Sequence, residues 1–215
     1  MEFAREGDKI DYFAGLDLGQ AQDYSALVIA ERYQPAPDTT VLGAKPPLPR
    51  YGVRFLKRWP LRTDYPVIVQ DVAAVLGHAP LAGNVRLIVD YTGCGRPVVD
   101  MFRQAELRPR PVHIHGGQKV TDEDGTTGVP KRVLVATVAV LLQQQRLQIA
   151  ESLPETPALL HELLNFRVTI DPKTANDSYS AWRERDHDDL VLALALACWW
   201  GEHRGGTAHV WSPFR

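Results

Sequence analysis

Four aspartates stand where a carboxylate is expensive, and a fifth lies beside one of them. Asp17 falls within "YFAGLDLGQAQDYSALVIAERY" (12–33), in a run that otherwise reads as buried strand, and Asp23 follows on the polar turn after it. Asp90 ends the apolar run "NVRLIVD" (84–90), and Asp188 and Asp189 open "DHDDLVLALALACWWGEH" (186–203). An ionised carboxylate taken out of water costs several kcal/mol unless it is paired or binds a metal. Taken singly, each has a structural reading: a turn carboxylate bonded to local amides for Asp17, and helix-starting acids that complement the macrodipole for Asp188 and Asp189. Together, three separate elements each deliver an aspartate from an apolar context. Clustered carboxylates repel one another and hold high pKa values unless cations compensate them. Oxygen-only ligands of this kind suit Mg²⁺ or Mn²⁺. Two such ions about 3.5–4 Å apart can activate a water and stabilise the leaving oxygen in an in-line attack on a phosphodiester.

The elements that must bring these residues together can be read from periodicity. Phe13–Leu18 and Ser25–Ala30 are two apolar runs around a short turn, a β-hairpin with Asp17 near the end of its first strand. A Pro-rich loop (34–50) leads to a third strand, "RYGVRFLKRWP" (50–60), then a helix over 64–78 and the buried strand ending in Asp90. "TGCGRPVVDMFRQAEL" turns through glycines into a helix with Pro97 near its start, and "RPVHIHG" (110–116) returns as a strand. This alternation of β and α implies parallel strands with crossover helices, placing the first and fourth strands side by side. "VPKRVLVATVAVLLQQQRLQI" (129–149) reads as a helix and a short extended piece, and "TPALLHELLNFRVTI" (156–170) as a helix running into a strand that "SYSAWRE" (178–184) pairs with as a second hairpin. The final helix is apolar on nearly all sides and hence buried. Adjacent helical residues point about 100° apart, so Asp188 and Asp189 cannot hold equivalent places around one ion. Ala193, one turn beyond Asp189, would let the helix approach the sheet closely, which favours Asp189 as the primary ligand and Asp188 as a second-metal or outer group.

Composition limits what such a site can serve. A chain of 215 residues with 45% hydrophobic content is enough for one domain, and 24 Lys and Arg against 26 Asp and Glu give no general footprint for a polyanion. Any nucleic-acid contact must be local. Lys119, Lys131 and Arg132 flank "GGQKVTDEDGTTGVPKR" (116–132), read as a mobile loop at the edge of the site where cations meet phosphates. Cys94 and Cys198 read as reduced thiols of a cytosol-like compartment. His113 and His115 share a strand face without a third ligand spaced to join them and read as structural. No apolar run approaches the roughly 20 residues that span a bilayer, and no G-x-x-x-x-G-K-[ST] string is present.

"GLDLGQAQDYSALVI", "RLIVDYTGCGRPVVDMF" and "HDDLVLALALA", in this order, resemble the C-terminal nuclease domain of the large terminase subunit of tailed bacteriophages over residues 12–204. The resemblance implies a single α/β nuclease domain with a ribonuclease H-like mixed sheet of about five strands, order 3-2-1-4-5, flanked by helices, with an additional β-hairpin (165–182) beside the site. It implies a metal-dependent endonuclease that cuts double-stranded DNA during genome packaging, with Asp17 bridging two metals, Asp90 as second ligand, Asp188 or Asp189 as third, and Asp23 assisting the second metal. Its implied partners are DNA, a terminase ATPase domain absent from this chain, the small terminase subunit and the portal. The implied setting is the cytoplasm of a bacterial host. Two other readings stay open: the first string is also similar to the phosphate loop of actin-like and sugar-kinase ATPases, and a module with a decayed site would bind without cutting.

Overall fold

The computed structural model describes residues 7–19, 22–38, 40, 43–166 and 187–204. Strands β1 (Lys9–Asp17), β2 (Ala26–Gln34) and β3 (Arg50–Arg58) form an antiparallel meander. Helix α1 (Tyr65–Leu76) then leads to β4 (Val85–Asp90), which pairs parallel to β1, and helix α2 (Arg96–Gln104) leads to β5 (Arg110–His115), parallel to β4. Both helices carry a proline in the first turn, where its missing N–H has no partner to lose. The expected order 3-2-1-4-5 is therefore present, as the centre of a longer sheet.

That sheet has eight strands, in the order β6-β7-β5-β4-β1-β2-β3-β8. One correction follows, and one expected piece finds its place. The segment read as a loop contains a hairpin, β6 (Thr121–Glu123) and β7 (Thr126–Pro130), with β7 parallel to β5. Its threonines, glycines and aspartates give no apolar alternation. The pairing comes from β5, where Val112 meets Thr127 and Ile114 meets Val129, contacts that no local pattern records. At the other edge the short extended piece after α3 (Lys131–Gln143) is β8 (Leu147–Ile149), parallel to β3. Helix α4 (Thr156–Asn165) follows it, and the second hairpin expected beyond Asn165 lies outside the described residues apart from its first positions.

Two apolar layers cover the sheet. Leu16, Leu27, Ile29 and Val89 point to one face and pack with Ile68 and Val72 of α1 and Phe102 of α2. Phe13, Val28, Ile88 and Val112 point to the other and pack with Leu134 of α3, Leu159 of α4 and the run Leu190–Trp199 of α5 (Asp189–His203). Helix α5 is buried almost end to end, as its unbroken apolar sequence requires. It reaches the sheet over Gly15, where a side chain would run into the carbonyl of Ala193 and come 2.9 Å from the amide nitrogen of Ala197. No helix among the described residues is long and apolar enough to cross a membrane.

Candidate metal centre

The strand register builds the first half of the site. Asp17 and Asp90 are the last residues of β1 and β4 and stand directly beside each other in the parallel ladder, on the face that α5 covers. Both are buried, at 8% and 7% exposure. Immediately past Asp90 the chain turns, and Thr92 fixes the carboxylate by donating to Oδ1 from its backbone N–H at 2.8 Å and from its hydroxyl at 2.5 Å. The Thr92 hydroxyl in turn accepts the N–H of Ile114 at 2.8 Å, tying this turn to β5.

Helix α5 supplies the second half. Asp188 is its N-cap residue and Asp189 its first helical residue, the latter 3% exposed. Because the helix seats at Gly15, two residues before Asp17 on the same face of β1, its N-terminus arrives at the strand ends. The carboxylates are close enough to act on one another. Burial pushes the Asp17 carboxyl well above the usual range, Asp90, Asp189 and Asp188 push it further, and the Lys131 ammonium opposes them. Asp189 is raised to about 7, first by burial and then by Asp188 and Asp23, against the pull of Arg58 and of hydrogen bonding from the Tyr24 backbone. Asp23, half-buried on the β1–β2 turn, thus acts on Asp189.

The three basic residues separate. Lys131, at the first position of α3, is 7% exposed and its ammonium contacts the Asp188 carboxylate, with the Phe166 ring 5.8 Å away. Arg132 is half-buried and donates to the Gln118 carbonyl at 3.1 Å, while Lys119 is exposed. Lys131 therefore belongs to the acidic cluster, and of the three only Lys119 is fully exposed.

Sequence reading passed over two further groups. Glu162 of α4, 5% exposed, accepts the N–H groups of Leu190 and Val191 at 2.9 and 3.1 Å, and Arg58 at the end of β3 reaches it at 3.5 Å. The Arg58 guanidinium also lies over the Tyr24 ring at 4.6 Å, and Tyr24 meets the His187 ring edge-on at 4.6 Å. A glutamate in an amphipathic helix carries no sign of burial, since its partners sit 28 residues or more away. Cys94 lies half-buried past Asp90, and burial together with the Asp90 charge raises its thiol to about 11, so it stays protonated and is no nucleophile near neutral pH. Beside these strand ends opens a cleft of about 450 Å³ whose walls include Gly19, Asp23, Arg62, Tyr65 and Cys94.

By chemistry alone, the carboxylate oxygens gathered here are donors of the type that hard divalent cations take. Asp189 Oδ2 is buried and has no hydrogen-bond partner among the described residues, so it has a lone pair open to a ligand. Its neighbours are carboxylates, which favour Mg²⁺ or Mn²⁺ over softer ions. Among the described residues no three His, Cys, Asp or Glu side chains lie close enough together to hold a metal ion as they stand. The carboxylates meet in electrostatic contact, with His187 Nδ1 at 3.8 Å from that same oxygen.

At the level of sequence, no family model and no curated protein matches this chain. Its three-dimensional form does have relatives. The large terminase nuclease from thermophilic phage G20c superposes over 90% of this chain and 83% of its own, at 19% identity and a TM-score of 0.56. The human cytomegalovirus terminase nuclease domain in a Mn-soaked structure covers 92% of this chain and 86% of its own, at 12% identity and a TM-score of 0.54, and a further structure of that domain gives 0.52. The chain has the ribonuclease H-like fold of the terminase nucleases.

Proposed function

We propose that this chain is a divalent-metal-dependent endonuclease that cuts double-stranded DNA in viral genome packaging. The observation that carries the reading is the buried convergence of Asp17, Asp90 and Asp189 from β1, β4 and α5, with one Asp189 oxygen that has no hydrogen-bond partner among the described residues. Mg²⁺ or Mn²⁺, two ions per site, would supply the activation of water and the stabilisation of the leaving phosphate oxygen. Asp17, reached electrostatically by the other carboxylates, would hold both ions, Asp90 and Asp189 would complete the inner ligands, and Asp188 and Asp23 would serve the second. Thr92 holds Asp90 in one orientation, as outer-shell partners of metal-binding carboxylates do. Lys131 neutralises part of the cluster's charge at Asp188. The adjoining cleft gives the DNA strand its approach, and Lys119 a distant phosphate contact.

In this reading residues 12–204 form one nuclease domain that works with a terminase ATPase domain, the small terminase subunit and the portal in the cytoplasm of a bacterial host. Plasmid DNA incubated with the protein tests it: nicking or linearisation in Mg²⁺ or Mn²⁺ with little sequence preference is expected, while Ca²⁺ binds without cleavage. Cleavage undiminished in EDTA would overturn it.

A further inference from the structure

An N-cap aspartate ordinarily bends its carboxylate back to accept the N–H of the second or third helical residue. In α5 those residues are Leu190 and Val191, and Asp188 is the N-cap, yet Asp188 makes no capping hydrogen bond. Both N–H groups are taken from outside the helix by one oxygen, Glu162 Oε2, at 2.9 and 3.1 Å. The other Glu162 oxygen faces Arg58 at 3.5 Å, and Arg58 also reaches Glu155 at 3.9 Å, which fixes Glu162 from two sides. Asp188 is left to meet Lys131, and Asp189 keeps an oxygen with no hydrogen-bond partner among the described residues.

We propose that Glu162 is a positioning residue for the metal centre: by capping α5 in place of Asp188, it keeps the Asp188 and Asp189 carboxylates turned towards Asp17 and Asp90. The inference rests on the metal reading given above and adds a residue that touches neither ion nor DNA. With Glu162 shortened, the exposed amides at the helix start become the nearest donors for Asp188 or Asp189. A carboxylate that folds back on its own helix is lost to the cation. The relevant chemistry is the acceptor oxygen, so a neutral amide oxygen in the same place preserves the effect.

The test is Mn²⁺ titration into metal-free protein, followed calorimetrically, for wild type, Glu162→Ala and Glu162→Gln, with a thermal melt of each in EDTA. Glu162→Ala is expected to weaken Mn²⁺ binding by about 10- to 100-fold while still melting cooperatively, and Glu162→Gln to return affinity to within about threefold of wild type. Should Glu162→Ala lose its cooperative melt, Glu162→Asp, one methylene short of the amides, takes its place with the same expected loss. Unchanged affinity in the shortened variant overturns the proposal alone, as does a Gln variant as weak as the Ala one. Wild type that binds no Mn²⁺ overturns the metal reading and this inference with it.

Discussion

Asp17 and Asp189 work against the metal-free fold, because burial and the neighbouring carboxylates disfavour their charge. Asp17→Asn and Asp90→Asn are therefore expected to abolish cleavage while leaving the metal-free protein as stable as wild type or more so, which a urea titration in EDTA measures. Asp189→Asn should cost more metal affinity than Asp188→Asn, since Asp189 carries the unpartnered oxygen and Asp188 already has Lys131. The same charges set a pH dependence. Asp189 is raised from an ordinary 3.8 to about 7 and Glu162 from 4.5 to about 8, both first by burial. The folded state thus holds protons that the unfolded state has released, so this contribution is complete below about pH 4 and is lost as pH rises through about 7 and about 8. In EDTA the melting temperature should fall between pH 5 and pH 8.5, on the order of a few degrees, and Mn²⁺ should raise it more at the upper end. A flat profile in EDTA would show that these carboxyls are not strained by burial.

The element that decides the geometry is α5, and its seat is Gly15. A methyl group there overlaps the Ala193 carbonyl, which is backbone and cannot rotate aside. Gly15→Ala should cost about 3 kcal/mol or more, read from a urea titration, and lower Mn²⁺ affinity by withdrawing Asp189 from the strand ends. Half of this packing was legible: Ala193, one helical turn beyond Asp189, marks a close approach, while Gly15, the seat on β1, sits in an apolar string that gives no sign of which glycine the helix meets. The meander, the β-α-β alternation and the central strand order were legible too, because each rests on apolar runs longer than a turn. What periodicity did not reveal was set by partners far along the chain. The hairpin β6–β7 is polar and takes its order from β5, Lys131 is buried by Asp188 at 57 residues' separation, and Glu162 is buried by the start of α5. A charged side chain on an amphipathic helix looks solvated until the element that covers it is known.

Across the whole molecule positive and negative charges nearly cancel, 24 against 26, so the DNA binding proposed above would have to draw on a local face. Exposed Lys119 and buried Lys131 make that testable. Lys119→Ala should reduce the slope of log affinity against log salt by about one, whereas Lys131→Ala should leave the slope unchanged and destabilise the metal-free protein by about 3 kcal/mol, because Asp188 loses a buried partner. Filter binding over a salt series and a melt in EDTA separate the two; equal slopes for Lys119→Ala and wild type would remove Lys119 from the interface. The topology also governs when the site comes into being. Strand β1 holds Asp17 near the start of the chain, and the helix that packs across it spans Asp189–His203, so the pair is separated by most of the sequence. Contacts of such long separation form late, after the loop-closure cost has been met. While the ribosome is still making the stretch before α5, the face that carries Phe13 and Ile88 has only α3 and α4 to cover it, and Asp17 and Asp90 lack the carboxylates of Asp188 and Asp189. A nascent chain arrested before α5 is thereby a sheet with one face partly bare, sticky to chaperones, and on the reading proposed above it would hold no cutting centre.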